Sequence, residues 1–291
     1  MKQLRFKIVD VFTATPFNGN PVAVVLDAAG LTTKEMSQIA NWINLSETTF
    51  VMPPVSPEST YRVRIFTPVS ELPFAGHPTI GTAHALLESG FIQAKDGALI
   101  QECAAGPIHL TITEMEGPRW ISFSLPQPTF ETLIDTQLEQ LRAILGAPWD
   151  DRVRPCLVDV GARWVVIQLP SAKAVLDVAP DLQRMAMHDR SERRTGVVIF
   201  GRHHQGESSK IEVRAFAPSQ GVNEDPVCGS GNGCVAAYIR HTGQISEFGS
   251  SFIATQGRCV GRAGVLRMSF SGKDIRVAGN AVTCVEGVLS V

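Results

Sequence analysis

Apolar positions along the chain alternate, or recur at helical spacing, in an order that is met twice. FKIVDVF at 6–12 has the period of a strand. LTTKEMSQIANWIN at 31–44 has the spacing of an amphipathic helix, with Thr32 or Thr33 suited to the N-cap and Glu35 in the first turn. ETTFVM at 47–52 and YRVRIFTP at 61–68 are predicted strands, and a glycine turn then opens a second helix, TIGTAHALLESG at 79–90. The later half gives PCLVDVGARWVVIQL at 155–169 as a strand, DLQRMAMHDR at 181–190 as a helix, TGVVIF and KIEVRAFAP as strands, and GNGCVAAYIRHTG at 231–243 as a helix after another glycine turn. Gly90 and Gly243 each suit a helix C-terminus.

The two series match at a nearly constant distance. Val9-Asp10-Val11 returns as Val158-Asp159-Val160, and Met36 as Met185, both 149 residues later. VRIFTP at 63–68 returns as VRAFAP after 150 residues, and ELPFAGHP at 71–78 as EDPVCGSG at 224–231 after 153. Four matches in one order indicate a duplicated unit of about 150 residues. The expected fold is α+β: two similar domains related by a pseudo-twofold axis, each a mainly antiparallel sheet around a central helix, with the site in the cleft between them. The domains are placed at 1–128 and 129–291, joined near LPQPTF, with the last segment free to pack back on the first domain.

Composition narrows the function classes. At 291 residues, 44% apolar and 19% charged, the chain can bury two cores. A formal charge of −2 gives no basic surplus, so no nucleic-acid partner is expected. No apolar run approaches the roughly 20 residues of a membrane span. The start MKQLRFKIVDVF alternates and lacks the apolar stretch of a signal peptide, so a cytoplasmic protein is expected, with the cysteines at 103, 156, 228, 234, 259 and 284 reduced.

Both glycine turns lie at helix N-termini, where the first N–H groups lack intrahelical partners and the helix dipole is positive. Two such ends facing one cleft would hold a small anion, most simply a carboxylate, and stabilise charge developing beside it. The alternative is a pair of tight turns. Gly229-x-Gly231-x-Gly233 is neither a Walker loop nor a dinucleotide fingerprint. Three side chains could move protons. His77 follows Gly76, with Pro78 suited to the first helical turn, and its alternative role is to cap its own helix. Asp225 precedes a proline, and its alternative is turn formation. Glu47 lies between the first helix and a strand, where a glutamate is ordinarily exposed; the repeat places Gly196 at its counterpart, so this acid is supplied only once. His203-His204, Cys228 and Cys234 lack the spacing of a metal set, and no metal is expected.

NGNP at 18–21, LSETTFV at 45–51, RIFTP at 64–68, FAGHPTIG at 74–81 and EDPVCGSGNG at 224–233 together resemble the phenazine-biosynthesis-like PhzF family, over nearly the whole chain. The resemblance implies a diaminopimelate epimerase-like fold and a cofactor-independent isomerase, a homodimer, that shifts a proton on a small carboxylic acid. It implies that Glu47 moves the proton, that His77 and Asp225 join it as catalytic groups, and that Ser230 binds substrate. The substrate carboxylate is expected on Gly76, Pro78 and Thr79 and on Gly229, Ser230, Gly231 and Asn232, with Asn18, Gly19 and Asn20 in the cleft wall. Related racemases use one cysteine at each turn. Here Ala75 faces Cys228 in the repeat, so a two-cysteine racemase is excluded. Cys228 is expected to pack in the pocket wall; the helix terminus could also lower its pKa. An epimerase pairing Cys228 with another kind of group, or a non-catalytic metabolite-binding protein, are the alternatives.

Overall fold

A computed structural model describes residues 2–113, 117–149 and 152–291. The chain forms two compact units, Met1–Ser124 with Ala278–Val291, and Leu125–Val277.

The first unit begins with β1 (Gln3–Val11), β2 (Asn20–Val25), α1 (Thr33–Ile43), β3 (Thr48–Met52), β4 (Tyr61–Phe66) and the short β5 (Glu71–Leu72). It continues with α2 (Gly76–Glu88), β6 (Ala98–Cys103), β7 (Gly106–Thr113) and β8 (Trp120–Ser124). The second contains β9 (Thr129–Thr132), α3 (Asp135–Leu145), β10 (Cys156–Asp159), β11 (Arg163–Gln168), α4 (Ala172–Asp177), α5 (Leu182–Ser191) and β12 (Gly196–Arg202). Then follow β13 (Ile211–Ala217), β14 (Val222–Asp225), α6 (Gly229–His241), α7 (Ile245–Phe248), β15 (Ser251–Gln256), β16 (Gly264–Ser271) and β17 (Asp274–Gly279). The final strand, β18 (Ala281–Ser290), returns to the first unit and pairs antiparallel with β1.

The ladders repeat. β1–β2 and β10–β11 are antiparallel, β2–β3 and β11–β12 parallel, β3–β4 and β12–β13 antiparallel, and β4–β6 and β13–β15 parallel. In the second unit β9 holds against β10 the place that β18 holds against β1. One sheet order is thus built twice, the first copy being completed by the chain's last strand.

Each unit has one helix enclosed by its own sheet. Ile80, Ala83, Ala85 and Leu86 of α2 are buried against β1, β2, β3 and β8, and Val235, Ala236, Ala237 and Ile239 of α6 against β10, β11, β12 and β16. A helix apolar all round has no solvent face to keep, which accounts for the runs TIGTAHALL and GCVAAYI. α1 is amphipathic by contrast: Met36 and Ala40 pack beside Phe50 and Phe66, whose rings meet edge to face at 5.5 Å. Its start is a capping box, in which Thr32 Oγ1 accepts the Glu35 N–H and the Glu35 carboxylate accepts the Thr32 N–H. Both central helices are followed by a left-handed glycine, Gly90 and Gly243, as their spacing predicts.

One expected strand is two. PCLVDVGARWVVIQL folds back as the hairpin β10–β11, because Gly161 takes φ +98° and donates its N–H to Asp159 Oδ1 at 2.7 Å. The second unit also carries α3 and α4, which have no counterpart in the first. Leu141, Ile144 and Leu145 of α3 extend its core to Met185 and Trp149.

Candidate functional site

In the first unit the candidate groups gather where β3 begins and α2 begins. Glu47 directly precedes β3, its carbonyl accepting the Ala23 N–H of β2 at 3.4 Å. His77 is the second residue of α2. Glu47 Oε2 lies 3.3 Å from His77 Nε2, with 15% of the Glu47 side chain and 8% of the His77 side chain exposed. Burial raises the Glu47 carboxyl from 4.5 to about 7, against a smaller lowering by a hydrogen bond with Ser46. A carboxyl near neutrality beside an imidazole can take up and return a proton at physiological pH. The NGNP turn stands at the start of β2, where Asp10 Oδ2 accepts the Gly19 N–H at 2.9 Å and Asn20 is buried in the ladder opposite Val11. Asn18 beside them is half-buried.

In the second unit Asp225 ends β14, Cys228 precedes α6, and Gly229, Ser230, Gly231 and Asn232 open that helix. Asp225 Oδ1 accepts the Val227 N–H at 3.1 Å, so the carboxylate also shapes the Asp-Pro turn. Cys228 is the N-cap residue, and its Sγ accepts the Gly231 N–H at 3.3 Å. Burial pushes the thiol well above the ordinary cysteine range, and the Asp225 carboxylate adds to this; hydrogen bonds with Ser230 and Gly231 offset less. The lowering that a helix N-terminus favours is therefore outweighed.

The two turns are built alike. In α2 the third residue, Pro78, has no N–H, and Thr79 N–H already bonds Ala75 O at 3.3 Å. In α6 the third residue, Gly231, gives its N–H to Cys228, and Asn232 N–H bonds Cys228 O at 3.1 Å. Each helix thus opens with two residues, Gly76 with His77 and Gly229 with Ser230, that precede its first intrahelical bond. This also gives a reason for the unequal caps. Ala75 suffices where proline stands third, while Cys228 is needed where a glycine N–H must be satisfied. Cys228→Ser should keep the cap and unfold within about 0.5 kcal/mol of wild type, and Cys228→Ala should lose about 1 kcal/mol in denaturant melts.

A buried glutamine underlies each turn, and the sequence reading passed over both. Gln101 on β6 accepts the Tyr61 hydroxyl at 3.0 Å and donates to Thr79 Oγ1 at 2.9 Å, and Thr79 in turn donates to Ala75 O. Gln256 on β15 accepts the Cys228 N–H and an Asn232 Nδ2 hydrogen and donates to Asp225 O, at 3.1, 2.7 and 2.8 Å. Their separation of 155 residues continues the drift of the repeat, and that was the available signal. Among the described residues, no three His, Cys, Asp or Glu side chains converge as a metal set, and no helix is long and apolar enough to cross a membrane.

Ionising Glu47 in the fold also costs stability. Its folded pKa lies above the ordinary value, so the penalty is absent below about pH 4.5, grows as pH rises, and is complete above about pH 7. Glu47→Gln escapes it. The variant should be more stable than wild type by up to about 3 kcal/mol at pH 8, and the gap should close by about pH 4.5. Urea melts across this range test the sign.

A profile of the phenazine biosynthesis-like protein family matches residues 9–287. The antisense-enhancing sequence 1 protein of Schizosaccharomyces pombe is 44% identical, the match covering 99% of both chains. The trans-2,3-dihydro-3-hydroxyanthranilate isomerase of Pseudomonas chlororaphis is 35% identical, covering 98% of both. The crystal structure of a Bacillus anthracis phenazine biosynthesis protein of the PhzF family is 26% identical and superposes with a TM-score of 0.87 over both complete chains.

Proposed function

Because the chain belongs to the phenazine biosynthesis-like family, with isomerases among its full-length relatives, we propose that it moves a proton on a small carboxylic acid by general acid and base catalysis, without a cofactor. The chain is an isomerase. The observation that carries it is the pair Glu47–His77, a mostly enclosed carboxyl 3.3 Å from an imidazole at a helix N-terminus. In this reading Gly229 and Ser230 are candidate N–H donors to the substrate carboxylate, as are Gly76 and His77 of the first turn, with Asn18, Gly19 and Asn20 as further candidate substrate contacts. Glu47 removes a proton from a carbon activated by that carboxylate and returns it to another carbon. His77 holds the Glu47 carboxyl and its proton, and Asp225 orients the substrate. The turn N–H groups stabilise the enolate-like charge.

Incubation in D₂O with trans-2,3-dihydro-3-hydroxyanthranilate and a panel of cyclic and amino carboxylic acids, followed by NMR, tests the reading. Deuterium entering one of these acids at carbon supports it; no exchange into any of them at millimolar concentration counts against it. For an acid that turns over, kcat/KM should rise with pH, about tenfold per unit, and level off near pH 7 as Glu47 becomes the carboxylate base. A flat profile from pH 5 to 8 would assign the proton to another group.

The epimerase reading needs Cys228 as a thiolate. Its capping bond to Gly231 and its raised pKa oppose that role. Cys228→Ser should keep turnover within a few-fold of wild type, whereas a thiolate base would lose nearly all of it. The wider reading has the protein act as a cytoplasmic homodimer, and sedimentation of the purified chain tests the dimer.

A further inference from the structure

The duplicated positions that hold the proton-moving pair in the first unit hold a different pair in the second. His77 and Ser230 are equivalent, each the second residue of its central helix. Glu47 corresponds to Gly196. Thr48, after Glu47, ladders with Ala23, and Val197, after Gly196, ladders with Val165. The residue before Ala23 is Val22, and the residue before Val165 is Trp164. The second unit therefore has glycine where the first has its acid, and tryptophan where the first has valine.

The two changes fit together in space. Trp164 and Gly196 are paired across β11 and β12, and a Cβ on Gly196 would stand 3.0 Å from the Trp164 ring and 2.0 Å from Phe216 O. Phe216 O alone excludes a side chain at 196, and its absence also leaves room for the indole. Trp164 is buried, 3% exposed, and its Nε1–H donates to Ser230 Oγ at 3.0 Å. Cys228 Sγ also lies 3.5 Å from that oxygen.

An indole N–H can only donate. It occupies acceptor capacity of the Ser230 hydroxyl and disfavours any rotamer that points the serine proton back at the ring. We infer that Trp164 is a positioning residue that turns the Ser230 proton away from the ring, so that the substrate carboxylate takes it in place of Cys228 Sγ. The duplication has thus divided the labour: the Glu47–His77 pair handles protons, and the Trp164–Ser230 pair handles the acceptor end of the substrate. A carboxylate, which when ionised only accepts, matches a serine held as a donor. This inference rests on the carboxylate reading given above for the second turn.

A double-mutant cycle tests it, with 3-hydroxyanthranilate, the aromatic acid bearing the same substituents, as the calorimetric probe. Ser230→Ala should raise Kd about tenfold and Trp164→Phe about three- to tenfold, in line with the loss of one hydrogen bond. In the Ser230→Ala background, Trp164→Phe should change Kd by less than about twofold, because the proton it directs is gone. As a control for packing, benzothienylalanine at 164 keeps the ring shape without the N–H and should reproduce the weaker binding, while 5-fluorotryptophan, which keeps the N–H, should bind as wild type does. Undiminished loss from Trp164→Phe in the Ser230→Ala background would overturn the inference, as would wild-type affinity with benzothienylalanine. Unchanged Kd in Ser230→Ala would overturn the inference and leave the N–H reading of the turn standing, since alanine keeps the backbone donor; no binding by the wild-type protein would overturn that reading and the inference with it.

Discussion

Glu47→Gln is expected to slow solvent-deuterium incorporation into a turned-over acid by about 10²–10⁴-fold, while Kd for a carboxylate ligand stays within about threefold. The expectation follows from what the substitution removes and what it spares. Glutamine fills the same space beside His77 Nε2, which lies 3.3 Å from the present carboxyl oxygen. It cannot accept a proton from carbon at neutral pH. In the proposed reading the turn donors are backbone groups, and the substitution leaves them in place. Binding and chemistry should therefore separate, with kcat falling and affinity held. The same variant should gain stability above pH 7, so lost turnover cannot be put down to misfolding. Turnover near wild type would remove Glu47 from the reaction; loss of binding as well as turnover would make it a substrate contact instead of a base.

The duplication was legible because it left paired motifs at steady separations, and the capping box of α1 was legible because Thr32 and Glu35 satisfy it locally. Glu47 could be singled out by an asymmetry, an acid facing Gly196 across the repeat, together with the SET motif. Its raised pKa follows from enclosure, which disfavours the ionised form and is set by surroundings that no local motif encodes. Trp164 looked like one more apolar strand residue. Its role depends on Ser230, 66 residues away, and on the space at Gly196. The capping role of Cys228 was hidden because a thiol is an unusual cap and because the proline that makes one unnecessary at Ala75 stands in the other half of the chain. The hairpin at Gly161 was missed because apolar residues run through both of its strands and only the glycine marks the reversal.

Gln256→Leu is expected to cost about 3–5 kcal/mol and lower the melting temperature by about 10 °C. Leucine has nearly the volume of glutamine, so no cavity accounts for the loss. Three groups lose their partner instead: the Cys228 N–H, one Asn232 amide bond and the Asp225 carbonyl, all met by a side chain that is fully buried. Each buried group left unmatched costs about 1–3 kcal/mol, and Asn232 retains its bond to Cys228 O, which keeps the total near the lower end of the sum. Gln101→Leu should cost less, because Thr79 keeps its own bond to Ala75 O and the Tyr61 hydroxyl is the main group stranded. Gln256→Glu separates the two ends of the side chain. Its oxygen can still accept from Cys228 and Asn232, but an ionised carboxylate has no hydrogen for Asp225 O, so stability should recover in part at low pH, where the acid is protonated. Since Gln256 fixes both the cap of α6 and the backbone of Asp225, the leucine variant should also weaken 3-hydroxyanthranilate binding beyond Ser230→Ala alone. Wild-type stability in Gln256→Leu would show that these buried bonds are not what holds the turn.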